Sequence, residues 1–296
     1  MITPVPTLRE QQETSSSGMA SISISEIAAM MWGFASVTCF AVLITSVVTT
    51  PKKGTAFTTK HPTCNDTQTL SDISWWYSWG TSDNKLHEMG CPARGEFVPM
   101  FWGGGHVANV NLPSSARHVL GFNEPNARHQ AHMTPKAAAS HWHQLESVAM
   151  GKSLISPAPA RCKVHGNNSN CVMDPFDWLD EFFKECAGCK VDYVAVHSYT
   201  CGADNDMRFL ETVHNRYKKQ VWLTEFACPY TTSLTHVENY MKRLIPRLES
   251  APFVARYAWF GNRIVKDGSF IHKVNALHED SSAKLTALGR LYNTLH

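Results

Sequence analysis

This chain of 296 residues lacks charge of one dominant sign: 27 Lys and Arg stand against 25 Asp and Glu, a formal net charge of +2. Without a basic excess or stripe it has no electrostatic footprint for nucleic acid, and none is expected as a partner. A phosphate-binding glycine pattern is also missing. The one glycine run, WGGGHVANV at 102–110, has neither Gly-x-Gly-x-x-Gly nor a following Lys-Ser/Thr, so it reads as a flexible loop. Zinc spacing is absent too. His129, His132, His141 and His143 do not combine with acids as a metalloprotease requires, and Cys186-Ala-Gly-Cys189 has no second ligand pair. No metal and no cofactor are expected.

Charge is missing altogether from IAAMMWGFASVTCFAVLITSVVTTP at 27–51, a run long enough to cross a bilayer as a helix. A cleaved signal peptide would have a shorter apolar core behind a basic stretch. Here the preceding Ser/Thr-rich tail has Arg9 as its one basic residue, against Glu10, Glu13 and Glu26. The expected organisation is a disordered tail at 1–26, a retained transmembrane anchor at 27–50 and one catalytic domain at 51–296, working as a monomer. Lys52, Lys53 and Lys60 after the run favour a cytosolic domain by the positive-inside rule. Eight cysteines beyond the run (Cys64, Cys91, Cys162, Cys171, Cys186, Cys189, Cys201, Cys228) and sequons at Asn65 and Asn167 favour a lumenal or extracellular one. Two features against one give the second orientation. Cys162 and Cys171 flank a polar loop and read as a local bridge. Cys186 and Cys189 follow a helix-like segment and read as a structural staple, while the other pairings stay open.

Past residue 51, short apolar or β-branched runs recur at 53–57, 75–79, 96–101, 118–123, 153–156, 192–197, 220–225 and 253–260. Amphipathic segments fill several gaps. MTPKAAASHWHQLESVAM offers Thr134 as N-cap, Pro135 at the first helical position and an apolar face of Ala138, Trp142, Leu145 and Ala149. Asp174 and Pro175 repeat that device before DWLDEFFKEC. Phe209, Leu210, Val213 and Tyr217 stripe a third helix, and Val237, Tyr240, Met241 and Leu244 a fourth that Pro246 is expected to bend or end. A last helix is expected over 282–295. Eight strands alternating with helices predict an α/β fold of the (β/α)₈ barrel type, with its chemistry at the C-terminal strand ends. A doubly wound open sheet is the alternative.

Two glutamates stand at such ends. Strand four runs into HVLGFNEPN and Glu124, where Pro125 is expected to hold the preceding backbone extended. Strand seven, QVWLTEFACP, reaches Glu225, which by alternation shares a face with Val221 and Leu223. A carboxylate at a buried strand end is costly, and a lone one is more often the partner of an Arg or Lys. Neither motif carries a neighbouring base. A carboxylate pair flanking a scissile bond is what glycoside hydrolysis requires: one protonated to assist the leaving oxygen, one ionised to attack the anomeric carbon. Asn123 can donate to a sugar hydroxyl. His197 and Tyr199 in VAVHSY share a face and can keep a neighbouring carboxylate ionised, or can be an ordinary core His and a rim Tyr. Tryptophan suits pyranose faces and core packing alike; Trp79, Trp102 and Trp259 are assigned to the cleft, and Trp142, Trp178 and Trp222 to the core.

FVPMFWG, LGFNEPN, WLDEFFKECAGCKVDYVAVHSY, VWLTEFACP, RYAWFG and LTALGRLY follow one another in an order that resembles the glycosyl hydrolase catalytic core proteins, the alkali-sensitive-linkage-like glycoside hydrolase family 128. The resemblance spans residues 52–295. It implies a (β/α)₈ barrel and a retaining enzyme on β-1,3-glucan, with Glu124 as acid/base and Glu225 as nucleophile. The family's usual His-Trp-Tyr is His197-Ser198-Tyr199 here, and its frequent Asp after Asn-Glu-Pro is Asn126, which joins the expected sugar contacts. The reading that results is a membrane-anchored retaining β-glucan hydrolase. A glycan-binding receptor with faded catalysis and a transglycosylase on the same residues are the alternatives.

Overall fold

The computed structural model describes residues 52–58, 60–108, 110–165 and 169–296. The expected tail at 1–26, the anchor at 27–50 and the Asn167 sequon lie outside them. Among the described residues no helix is long and apolar enough to cross a membrane.

Among the described residues eight parallel strands form the centre: β1 (Lys53–Ala56), β2 (Trp75–Tyr77), β3 (Glu96–Phe97), β4 (His118–Leu120), β5 (Ser153–Ile155), β6 (Val194–Ser198), β7 (Val221–Phe226) and β8 (Val254–Phe260). Six are hydrogen-bonded in the order β3-β2-β1-β8-β7-β6, and β4 pairs with β5. Parallel bridges Met100–Leu120 and Ile155–Tyr193 join the two sheets, so the strands follow one another in a closed ring. The alternation of the sequence is thus realised as a barrel-like α/β fold.

The helices are α1 (Asp66–Thr69), α2 (Asn84–Glu88), α3 (Pro135–Val148), α4 (Pro175–Glu185), α5 (Ala203–Tyr217), α6 (Leu234–Ser250) and α7 (Ala287–Tyr292). The expected starts of α3 and α4 hold: the Thr134 side chain accepts from Ala137 N–H, the Asp174 side chain from Phe176 N–H, and proline follows each cap. Two helix ends fall elsewhere than the sequence allowed for. Pro246 does not end α6, which continues to Ser250 because Ile245 and Leu248 are still fully buried on the apolar face. The last helix is shorter than 282–295, since the Thr286 side chain caps it by accepting from Gly289 N–H. The 102–110 glycine run is not a bare loop either. Gly104–His106 forms a 3₁₀ turn, and a Cβ on Gly104 would lie 2.4 Å from the His141 ring.

Two apolar layers hold the ring. Inside it lie Ala56, Trp75, Val98, Leu120, Ile155 and Trp222. Between the strands and the helices lie Trp142, Trp178, Phe182, Leu210, Val221 and Leu223. Trp142, Trp178 and Trp222 are therefore core, as expected. At the N-terminal strand ends the inner layer closes on charge. Glu96 accepts from Arg256 Nη2 at 2.8 Å and pairs with His118 Nδ1 at 2.8 Å, while the Arg256 guanidinium sits 4.7 Å from the Trp222 ring centroid. Burial alone would raise the Glu96 pKa, but the His118 hydrogen bond and the Arg256 charge outweigh it and hold the carboxyl at about 2.

A folded pKa below the ordinary 4.5 makes Glu96 a source of stability that is fully present above that value and lost as pH falls toward 2. Replacing Glu96 by Gln should flatten acid unfolding across that window and, by leaving Arg256 buried without its partner, cost about 3 kcal/mol at neutral pH. Urea titrations at stepped pH measure both effects. Equal acid slopes in the two proteins would show that the pair does not report on folding.

Candidate active site

β4 ends at Leu120, short of the glutamate it aims. Gly121 follows because a Cβ there would lie 2.7 Å from the Trp142 ring and 2.8 Å from Pro157 N. Asn123 then bridges Ala158, and Glu124 leaves the extended conformation. Its N–H donates to Ala158 O at 2.9 Å, its C=O accepts from Ala127 N–H at 2.9 Å, and its φ is +41°. The extended backbone expected before Pro125 is not what forms. Proline disfavours the right-handed helical region for its predecessor, and the turn closed by these two bonds takes positive φ instead. Such a conformation costs a non-glycine residue on the order of 1–3 kcal/mol.

Glu225 is aimed by a different device. The expected alternation would set it beside Val221 and Leu223, which pack outward against the helices. A bulge breaks that count: Val196 pairs with Leu223, but the next residue, His197, pairs with Glu225, so Thr224 is extra. Tyr77 marks the spot, its hydroxyl 3.0 Å from Thr224 O and 3.1 Å from Glu225 Oε1. The bulge turns Glu225 into the ring.

The two acids meet there. Glu124, His197 and Glu225 each place one atom within 4.8 Å of the others'. His197 Nδ1 lies 2.8 Å from Glu124 Oε1 and 3.4 Å from Glu225 Oε2. Tyr199 OH donates to Glu225 Oε2 at 2.6 Å, and Trp79 Nε1 donates to Glu225 Oε1 at 2.8 Å. Burial pushes the Glu225 pKa up, against the His197 charge, and the Glu124 charge adds to the push, while Tyr199 and Trp79 oppose it. Burial by itself would lower the His197 pKa, but the Glu225 charge and the Glu124 hydrogen bond raise it above the ordinary value. Burial and then the Glu225 charge put the Tyr77 and Tyr199 phenols well above theirs, so both remain donors.

The pair opens into a cavity of about 700 Å³ lined by Trp79, Trp102, Asn123 and Tyr199, among others. Trp102 is 42% exposed and is free to receive a ring face. The far wall is the loop after β8, where Phe270 packs 5.1 Å from Tyr199 and 5.3 Å from Tyr230 between ring centroids. Arg263 ties the base of that loop to α1, donating to both oxygens of Asp66 at 2.8 and 2.9 Å.

Two expected sugar contacts do not reach the cavity. Trp259 is fully buried, donates to Asn275 O at 2.7 Å and packs against Phe226 on the outer side of β8. Its neighbour Ala258 faces the ring interior, so alternation sends Trp259 outward. Asn126 is also fully buried. Its amide donates to Ala160 O and Met173 O and accepts from Ala160 N–H, clamping loops together behind Glu124. In turn, Tyr77, Phe260 and Phe270 were not among the expected site residues. Tyr77 was legible: it alternates with Trp75 and Trp79 along one face.

Among the described residues, three groups of His, Cys and acidic side chains are tight enough for a metal ion. In two of them the cysteines are consumed by the Cys201–Cys228 and Cys186–Cys189 disulfides. The third is the Glu124–His197–Glu225 cluster itself, whose closeness also suits a carboxylate pair acting on one bond. The expected Cys162–Cys171 bridge is present, and Cys64–Cys91 completes the four.

A family model described as the glycosyl hydrolase catalytic core matches residues 54–292. The chain belongs to that family. Alkali-sensitive linkage protein 1 of Schizosaccharomyces pombe is 30% identical to it, over 74% of this chain and 40% of that protein, so the match spans well under half of the relative's length. Among solved structures, a family 128 subgroup II endo-β-1,3-glucanase from Sorangium cellulosum is 34% identical, with a TM-score of 0.70 over 83% of this chain and 98% of that one. A subgroup V exo-β-1,3-glucanase from Cryptococcus neoformans is 26% identical, with a TM-score of 0.67 over 81% and 97%.

The bulge generates a test. Tyr77→Phe removes a donor to Glu225, so the Glu225 pKa should rise. The acidic limb of the pH–kcat/KM profile should then move to higher pH, and kcat/KM should fall roughly tenfold, the worth of a hydrogen bond to a charged group. A limb that stays in place would show that Tyr77 does not feed Glu225.

Proposed function

We propose that the chain is a retaining glycoside hydrolase that cuts β-1,3-glucan, most readily within the polymer. The observation that carries the reading is the closeness of the two carboxylates. Oxygens within 4.8 Å fit the roughly 5–5.5 Å separation of retaining enzymes and not the 6.5–9.5 Å that leaves room for an attacking water. The substrate class follows from the glucanases this barrel resembles, one endo-acting and one exo-acting. An open cavity with an exposed Trp102 beside it suits attack within a chain.

Roles follow from the donors. Glu225 accepts from Tyr77, Trp79 and Tyr199, which suits the carboxylate that stays ionised and attacks. Glu124 takes the part of the general acid. In the first step a Glu225 oxygen bonds to the anomeric carbon while the bond to the leaving oxygen breaks, and the Glu124 proton passes to that oxygen. A glycosyl ester on Glu225 results. In the second step Glu124, now ionised, takes a proton from water as the water oxygen attacks the same carbon and releases Glu225. The configuration is inverted twice and so retained. Asn123, with its amide oxygen buried and unpartnered in the cavity wall, is placed to accept from a sugar hydroxyl.

The two acids should fail differently when replaced. Glu124→Ala should lose about 10²–10⁴-fold on glucan, far less on an aryl glycoside whose leaving group needs no proton, and azide should restore turnover with retained configuration. Glu225→Ala should be rescued by azide only through an inverted glycosyl azide. Equal losses on both substrates in Glu124→Ala would remove it as the acid, and a wild-type protein that binds glucan but leaves it uncut would favour the receptor. Product sizes separate endo from exo cleavage, and oligosaccharides longer than the substrate would mark transglycosylation.

The reading includes a membrane anchor at 27–50 and a lumenal or extracellular domain. Support comes from the charge-free run, four disulfides and an exposed Asn65 within its sequon. Protein from a secretory host, labelled for thiols without reduction, should show no reactive cysteine among the eight and a glycan on Asn65. Full labelling with no glycan would return the domain to the cytosol.

A further inference from the structure

Another buried carboxylate lies behind the site and does not line the cavity. Asp206 is in the first turn of α5 and is fully buried. Its Oδ1 accepts from Ser198 Oγ at 2.6 Å, Thr200 Oγ1 at 2.7 Å and Arg161 Nη1 at 3.2 Å; its Oδ2 accepts from Tyr240 OH at 2.6 Å. Arg161 also donates to Ser198 Oγ at 3.1 Å and lies 4.4 Å over the Phe209 ring. Burial raises the Asp206 pKa in spite of these donors, so the charge is held there at a cost.

The donors on Oδ1 show what that cost secures. Ser198 sits between His197 and Tyr199, and alternation sends its side chain to the opposite face from theirs. Thr200 follows Tyr199. Arg161 follows Ala160, whose N–H and C=O are both held by the Asn126 amide, two residues from Glu124. One carboxylate oxygen thereby collects the chain just past β5 and both sides of the β6 end. Hydroxyls that donate to an ionised acceptor at 2.6–2.7 Å are directional and strong. The Cys201–Cys228 disulfide fastens the same β6 end to the β7 end from the next residue along.

We propose that Asp206 is a positioning residue for the carboxylate pair: through Ser198 and Thr200 it fixes the directions in which His197 and Tyr199 address Glu124 and Glu225. Through Arg161 and the Asn126 clamp it also steadies the turn that carries Glu124. The proposal rests on the roles given to these two acids above. Ser198 is the strand residue through which α5 takes hold of β6. Tyr240 on the other oxygen anchors Asp206 to α6.

The test is Asp206→Asn, which keeps the size and removes the charge. On glucan, kcat should fall at least tenfold with KM within about twofold, and the acidic limb of the pH–rate profile should move up as Glu225 loses a well-aimed Tyr199. By NMR, the His197 imidazole should titrate lower than in the wild type, because its contacts with both glutamates loosen. Ser198→Ala should shift the same readouts in the same direction by less. A lower Tm with kcat, pH limb and His197 titration all unmoved would make Asp206 purely structural and overturn the proposal. If Asp206→Asn does not fold, Ser198→Ala combined with Thr200→Val carries the test, and unmoved readouts there overturn it equally. The NMR titration needs no turnover, so an inactive wild type would sink the hydrolase reading while the positioning could still be measured.

Discussion

Two negative charges within 4.8 Å repel by roughly 3–4 kcal/mol at an effective dielectric near 20, and the barrel mouth is built around that repulsion. His197 stands between the carboxylates and touches both. Tyr77, Trp79 and Tyr199 converge on one of them and leave the other with a single protein donor. The asymmetry suits the different tasks proposed for two chemically identical side chains, attack by Glu225 and proton donation by Glu124. Crowding Glu124 with further donors would erase the distinction.

The fold was legible where short-range rules decide it. All eight strand runs, the Thr134-Pro135 and Asp174-Pro175 helix starts and the closed parallel order follow from periodicity, capping chemistry and the handedness of strand–helix units. Glu124, Glu225, His197 and Tyr199 were legible because a polar group at the end of an apolar strand has few other reasons to be there. Placement failed where one residue shifts a register. The extra Thr224 is invisible in VWLTEF, yet it decides which way Glu225 points. Trp259 was misplaced for the reverse reason: strict alternation along β8 would have sent it outward. Asn126 looks like a sugar ligand because its amide can serve sugar and backbone equally, and long-range loop packing chose backbone.

Some of the backbone strain lies at the same place, and some lies elsewhere, at His61, His132 and Lys218 among others. Glu124 and Trp79, both in the cavity wall, have positive φ although neither is glycine. Each is held by bonds from another segment: Glu124 by Ala158 across the β4–β5 seam, and Trp79 through its indole on Glu225. These conformations would relax in an isolated peptide. They persist because the ring of strands fixes the neighbours first, and the direction of each functional group is a property of the closed barrel more than of its own segment.

The loop after β8 has a different relation to the barrel. It forms the far wall of the cleft and is hooked to the scaffold at its base by Arg263 on Asp66; at its tip Phe270 meets Tyr199 and Tyr230 through ring contacts, and its C=O accepts from Tyr230 N–H at 2.9 Å. None of the donors on Glu225 comes from it. Insertions, deletions or exchanges of aromatic residues between Arg263 and Ile271 can therefore accumulate in descent while the carboxylate pair stays as it is. The shape of the cleft's far wall can drift on this loop alone, which makes it the natural graft point between related barrels.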